Sequence, residues 1–404
     1  MTIENQSRTL ESLLKEVQEQ ATRKQDLVVP TNQMQVATAM GPDEVNHTSV
    51  ILEASGGAPT QILKANSVAF DQMATKAGLD VRTARRLQSD YPDVLDHALN
   101  RIHGQEPRKA MLRTFDISTQ THDPIIRRAF SDGSAIEAPA STGILRAMVS
   151  DKFKTFDNPD LLESVLPVLI ASDAQWQIVN AVITDKRLYA RFKSLAITGT
   201  GAAVGDLMAQ GVVISNSETG HGSVSVAQLV WTLFCLNGMQ TANKNRTAHL
   251  TSSRSEGETW AMLTDESKRL DNAALSSKLK DITAHYASRE MFESVLEQFR
   301  AAATDTVAGG MAAAQPAVEA LGGVLKLSKA ETSSVLDGLM QTIQQDGYRG
   351  QPLSRATMVN AVTAAANKAE PDAVTEWQQL GGKVLDLPAN QWAAVASVPV
   401  AMAA

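Results

Sequence analysis

From Lys109 to Leu229 apolar residues recur at every second position or in short β-branched runs, and this period constrains the fold more than any other feature of the chain. KAMLRTFDI, ILRAMVSDKF, WQIVNAVIT, RLYARFKSLAI, GVVISNS and SVSVAQL are each of strand length. Asp185-Lys186 predicts a two-residue hairpin turn between the third and fourth runs, and ETGHG predicts a turn between the last two. One helix interrupts them, Pro159 to Ile170, capped by Asp157-Asn158, with proline early in it where its missing N–H costs little.

On both sides of these strands the period lengthens to that of a helix. Leu10, Leu13, Leu14 and Val17, with an i,i+4 pair of Glu11 and Lys15, predict an exposed N-terminal helix. Residues 27–59, broken by Pro and Gly, read as a connector holding one good strand, Ser49 to Glu53. FDQMATKAGLDVRTARRL follows, with helix-turn-helix spacing: Phe70, Met73 and Ala74 line one helix, Gly78 makes the turn, and Val81, Ala84 and Leu87 anchor the second. A further helix, Asp93 to His103, comes after Tyr91-Pro92. Beyond Glu256 the chain is again helical, and Ser328 with Glu331 forms a capping box. The last twenty residues read as a loosely held tail. The expected class is α+β, an antiparallel β-rich centre between helical N-terminal and C-terminal parts. The expected divisions are an N-terminal helix and connector (1–60), a helix-turn-helix-like part (61–106), a β-rich core with one helix (107–255) and a helical C-terminal region (256–404).

Composition narrows the function classes. The only cysteine, Cys235, excludes an intramolecular disulfide and any multi-cysteine metal site, and its apolar setting TLFCLNG suggests a buried thiol in a reducing cytoplasm. The N-terminus lacks the basic-then-apolar order of a secretory signal, and the most apolar run, Val224 to Leu236, is too short to span a bilayer. A soluble cytoplasmic protein with no membrane partner is expected. A net charge of -7 argues against coating nucleic acid by bulk electrostatics. Cations are instead concentrated locally, because residues 82–193 carry 16 Lys and Arg against 14 Asp and Glu.

The strand Arg187 to Lys193 places Arg187, Tyr189, Arg191 and Lys193 on one face, three cations with an aromatic, a pattern that neutralises phosphates and stacks a base in single-strand binders. A solvent-facing strand in any sheet would look the same. Lys152 and Lys154 extend the strand beginning at Arg146, and Lys109, Met111 and Arg113 share a face in another. Arg82, Arg85 and Arg86 lie on the second helix of the helix-turn-helix-like stretch, where a DNA-reading helix exposes its side chains, although such hairpins also serve as plain packing devices. Arg246, with Asn243, Lys244, Asn245 and His249, suits an anion-binding edge or an exposed loop. TGTGAAVGD lacks the following helix that a dinucleotide fingerprint needs, since GVVISNS is a strand. The histidines show no ligand spacing, and Asp157 and Asp160 are better explained by helix capping than by metal binding. No catalytic constellation, metal site or cofactor is expected.

ILRAMVSDKFKTFDNPDLLESVLPVL and GDLMAQGVVISNSETGHGSVSVAQLVWTLFCLNGM together resemble a family of phage- and plasmid-encoded proteins known as a domain of unknown function. The stretch from Phe70 to Leu87 is similar to its N-terminal part and Val359 to Ala369 to its C-terminal helix, so the resemblance covers most of 65–369. It implies a mobile-element context and assigns no residue a role. Two functional classes follow: a nucleic-acid binder, acting on single-stranded DNA in recombination or replication, and a non-catalytic protein-binding module whose partner is a host or phage protein; a third, an enzyme with a pocket built at long range, stays open. Homo-oligomerisation fits either.

Overall fold

Alternation of apolar residues gives each strand one face to bury, and two sheets result. The computed structural model describes residues 9–53, 60–105, 107–118, 141–201, 206–232, 237–240, 260–344 and 348–398. The first sheet contains β1 (Lys24–Pro30), β2 (Met34–Met40), β3 (Asn46–Leu52), β4 (Gln61–Ala65), β5 (Lys109–Ser118) and β6 (Ser141–Ser150), in the order β1-β5-β6-β4-β3-β2. All its pairs are antiparallel except β4 with β6. The second sheet is an antiparallel meander, β11-β10-β9-β8-β7, built from β7 (Trp176–Ile183), β8 (Leu188–Thr200), β9 (Leu207–Asn216), β10 (Ser225–Thr232) and β11 (Asn237–Gln240). The fold is α+β, and both expected hairpins form: Thr184 N donates to Arg187 O (2.8 Å) around Asp185-Lys186, and β9 pairs with β10 from Ser215↔Ser225 onward.

Residues 27–59 are more than a connector with one strand. They contain most of β1 and all of β2 and β3. The periodic signal is weak there because β1 reads KQDLVVP and its partner β5 lies far along the chain, with Lys24 opposite Phe115.

Three helices cover one face of the first sheet: α2 (Ser67–Lys76), α3 (Val81–Asp90) and α4 (Pro92–Gln105), with α1 (Leu10–Arg23) preceding β1. Phe70, Met73, Ala74 and Ala84 are buried with Leu95, Leu99, Leu112, Leu145 and Met148 in one core. Gly78 takes the left-handed φ of 75° that the turn between α2 and α3 demands. One face of the second sheet packs Leu188, Ala190, Phe192, Val212 and Ile214 against α1, α5 (Asn158–Ala171) and α6 (Asp265–Tyr286).

Farther along the sheet, Ile197, Met208, Val230 and Met239 pack against a helical layer comprising α7 (Arg289–Thr304), α8 (Ala314–Leu325), α9 (Lys329–Gln344), α10 (Arg355–Ala365), α11 (Pro371–Leu385) and α12 (Ala389–Ala396). The Ser328 capping box forms as expected, Glu331 accepting from Ser328 N at 2.7 Å and Ser328 Oγ from Glu331 N at 3.3 Å. The C-terminal twenty residues are not a loose tail throughout, because α12 buries Trp392 and Val395 in this layer and its Ala396 carbonyl accepts from Ala308 N at 2.8 Å. Among the described residues, no helix is long and apolar enough to cross a membrane.

Candidate nucleic-acid interface

The alternation expected in β8 is present, yet its cationic face is not an open surface. Arg191 and Tyr189 are buried, and Arg187 and Lys193 are half-buried. Helix α11 lies over this face: Arg191 donates from Nη2 to Thr375 Oγ1 (2.9 Å) and from Nε to Gln378 Oε1 (3.2 Å), while Nη1 reaches Asn180 Oδ1 (3.4 Å). Burial lowers the Arg191 guanidinium to about 10 and raises the Tyr189 phenol to about 12. Arg187 and Arg191 both stand beside the Tyr189 ring, at 5.6 and 5.4 Å, so the aromatic meets protein cations where a base was expected. Arg187 also donates to Ser215 Oγ (3.2 Å) and Ser223 O (2.9 Å). The stripe therefore joins sheet to helix, and a strand could not enter it without displacing α11.

The remaining expected cations are dispersed. Arg82, Arg85 and Arg86 are exposed on α3, with Arg85 paired to Asp71 (2.7 Å) and Arg86 3.6 Å from Asp90. Lys152 is exposed just beyond β6. Lys154 is half-buried, paired with Asp271 and 5.5 Å from the Trp260 ring. Arg246 and Cys235 lie outside the described residues.

Two further arginines are internal. Arg113, fully buried, donates to Asp26 (3.0 Å), to Asp157 (2.7 Å) and to the Glu218 carbonyl (2.7 Å). Arg146 donates to Glu218 Oε2 at 2.9 Å, Asn158 N donates to its Oε1 at 2.8 Å, and Lys24 pairs with Asp157. Burial pushes the Glu218 carboxyl up, but Arg146, Lys24 and Arg113 outweigh it and hold the group below its ordinary range. Burial, reinforced by Arg113, lowers Lys24 to about 8. The network joins β1, β5 and β6 of one sheet to the α5 N-terminus and the β9–β10 turn of the other, and Asp157 acts as ion-pair partner as well as helix cap.

A different constellation gathers at the end of the first sheet where β1 and β6 finish, β5 begins, and α2 and α4 end. Lys76, His103, Arg108 and Lys109 line a cavity of about 180 Å³ with Thr31, Ser150, Ile102, Ala110 and Met148. Among the described residues, no Asp or Glu lines it. Burial, followed by Arg108, lowers Lys76; burial also lowers His103 despite a raising contribution from the Met73 backbone. His103 is buried and its Nε2 has no hydrogen-bond partner among the described residues. The rim is fixed through Thr31, which exchanges backbone contact with Arg108 (Thr31 N to Arg108 O, 2.8 Å), accepts from Arg108 N at 3.0 Å and donates to His103 O at 3.1 Å.

Residues 146–320 match the family model for a domain of unknown function (DUF932). Comparison with curated proteins and with solved structures finds no match. The DUF932 segment runs from Arg146 across the whole second sheet to α8, so it includes Asp157 and Glu218 of the ionic joint but ends short of α11. The basic cavity belongs mostly to the chain before that segment, with Met148 and Ser150 contributed from inside it. Among the described residues no group of three or more His, Cys, Asp or Glu could hold a metal ion.

The basic cavity was missed in sequence because its residues come from the ends of five separate elements. HGQEPRK, which holds His103, Arg108 and Lys109 within seven positions, is the local signal that could have found it.

Proposed function

We propose that this is a nucleic-acid-binding protein that takes single strands through the basic end of its six-stranded sheet. The observation that supports this best is the convergence of Lys76, His103, Arg108 and Lys109 on one cavity. Lys152, whose backbone N–H is anchored to Ser150 Oγ at 3.1 Å, adds a further exposed cation beside the cavity, and Arg82 and Arg86 supply a second edge on α3.

A recess suits a flexible strand, which can bend a phosphate inward. A duplex with a persistence length of about 50 nm presents its phosphates on a stiff outer surface. The protein on this reading acts in the host cytoplasm in replication or recombination of a phage or plasmid, the context implied by the sequence resemblance. Salt-titrated binding of short single strands tests it: affinity falls steeply with salt, and Lys76→Gln or Lys109→Glu weakens binding and flattens the salt slope by about one unit per lost contact. No binding at low salt would sink the proposal.

A further inference from the structure

We infer that the first half of α11 is an autoinhibitory lid, closed over a face of β8 on which Arg187, Tyr189 and Arg191 would hold the phosphates and bases of a single strand. The biological ligand rests on the nucleic-acid reading; the lid and the anion chemistry beneath it do not.

The arginines are the first support. Arg191 is 4% exposed, yet its hydrogen-bond partners Thr375, Gln378 and Asn180 are all neutral, and among the described residues no carboxylate pairs with it. Burial lowers its guanidinium only to about 10, so it is charged at neutral pH. Arg187 donates to the Ser215 hydroxyl and the Ser223 carbonyl, and its buried Nε has no hydrogen-bond partner among the described residues. Buried charges are ordinarily paired. Elsewhere in this protein they are: Arg113 and Arg146 are also buried, and each meets a carboxylate. An anion is what the β8 arginines lack. Tyr189 stands beside both of them and offers a ring on which a base can stack.

The cover is the second. The first half of α11 meets the sheet through polar side chains: Asp372 accepts from Thr184 Oγ1 at 3.0 Å, and Thr375 and Gln378 accept from Arg191. Asp372 also hydrogen-bonds Tyr189, so the lid itself sets a carboxylate beside the ring. Trp377 packs only in part against the helical core, and Val374, though buried, joins none of the described apolar cores. Leu380, Val384 and Leu385 anchor the second half of the helix in that core. A segment with few buried apolar contacts opens at lower free energy than its surroundings, so the first half can undock while the second stays in place. The DUF932 match ends at residue 320, which leaves the β8 face inside the matched segment and its lid outside.

Hydrogen exchange and strand binding on the full-length protein test the lid. In the unmodified protein the amides of Thr375 to Gln378 should exchange faster than those of Lys383 to Leu385; equal protection overturns the inference. Combining Asp372→Ala, Thr375→Ala and Gln378→Ala removes the polar latch, while alanine favours the helix itself. This variant should speed exchange in the first half of α11 and tighten binding of a short oligothymidine by about tenfold, the effect of one stacked base. Adding Arg191→Met should erase the gain, although Arg191→Met alone leaves binding by the latched protein unchanged. If the triple variant does not fold, Gln378→Ala carries the same comparison. Exchange that does not rise, a missing gain, or a gain that persists without Arg191 overturns the lid, and strand binding by the unmodified protein then survives by itself. If no form binds a strand, tripolyphosphate decides. Binding by the latch-free protein that is lost with Arg191→Met retains the covered anion face while sinking the nucleic-acid reading, and no binding sinks both.

Discussion

Replacing Glu218 by glutamine should loosen the joint between the two sheets. Glu218 is 6% exposed and its carboxylate accepts from Arg146 (2.9 Å) and from Asn158 N (2.8 Å). The amide keeps one acceptor but turns an N–H₂ toward a guanidinium, leaving the buried Arg146 without its counter-charge. Removing one partner of a buried ion pair costs about 3–5 kcal/mol. With about 2.1 cal/mol/K of unfolding entropy per residue over 404 residues, that loss lowers Tm by about 4–6 °C. Arg146→Met with Glu218→Leu should be less damaging than the sum of its single changes, because neither charge is then stranded. It still leaves Asn158 N unsatisfied, at about 1–3 kcal/mol. The pH dependence follows from the depressed Glu218 carboxyl: its stabilisation is present above the unfolded value near 4.3 and is lost as pH falls through the lower folded value, a loss that Glu218→Gln lacks. Calorimetry of the four proteins across pH 3–7 measures both effects. A Glu218→Gln change below about 1 kcal/mol, or strict additivity in the double variant, would refute the view that these charges depend on one another.

Three further outcomes follow. Gly338→Ala should destabilise by about 1–3 kcal/mol in urea titration despite alanine's helix preference, because the added Cβ would stand 2.3 Å from the Ala361 carbonyl where α9 crosses α10. Arg191→Met should lower stability by orphaning Gln378 and Asn180 but leave the salt slope of strand binding unchanged, since Arg191 is sealed beneath α11; a slope reduced by about one unit would return β8 to the interface. His103 is held below its ordinary value, so as pH falls through about 6.5 the unfolded chain takes up the proton first and stability declines, and His103→Gln should show a shallower decline in chemical denaturation.

Local structure was legible wherever a short-range device fixes it. Asp80 accepts from Thr83 N at 2.9 Å to start α3, Asp157 and Asp160 open α5, and Gly78 turns α2 into α3. Even the β8 alternation was right. What the sequence does not display is what covers a face: the partners of Arg191 stand more than 180 positions away on α11, at Thr375 and Gln378. A cationic stripe on a solvated strand and one beneath a helix share the same local pattern. β1 was hidden for the same reason, since it is short and polar and becomes a strand only against β5. The basic cavity required the ends of five elements to meet, and only its contiguous part, His103 to Lys109, leaves a trace in the sequence.

Salt-titrated affinity for a short single strand, compared between the unmodified protein, Lys109→Glu and Arg191→Met, tests the central claim most directly. Binding should depend steeply on salt, with a flatter slope in Lys109→Glu and an unchanged slope in Arg191→Met. Binding that ignores Lys109→Glu but collapses in a stably folded Arg191→Met would contradict it.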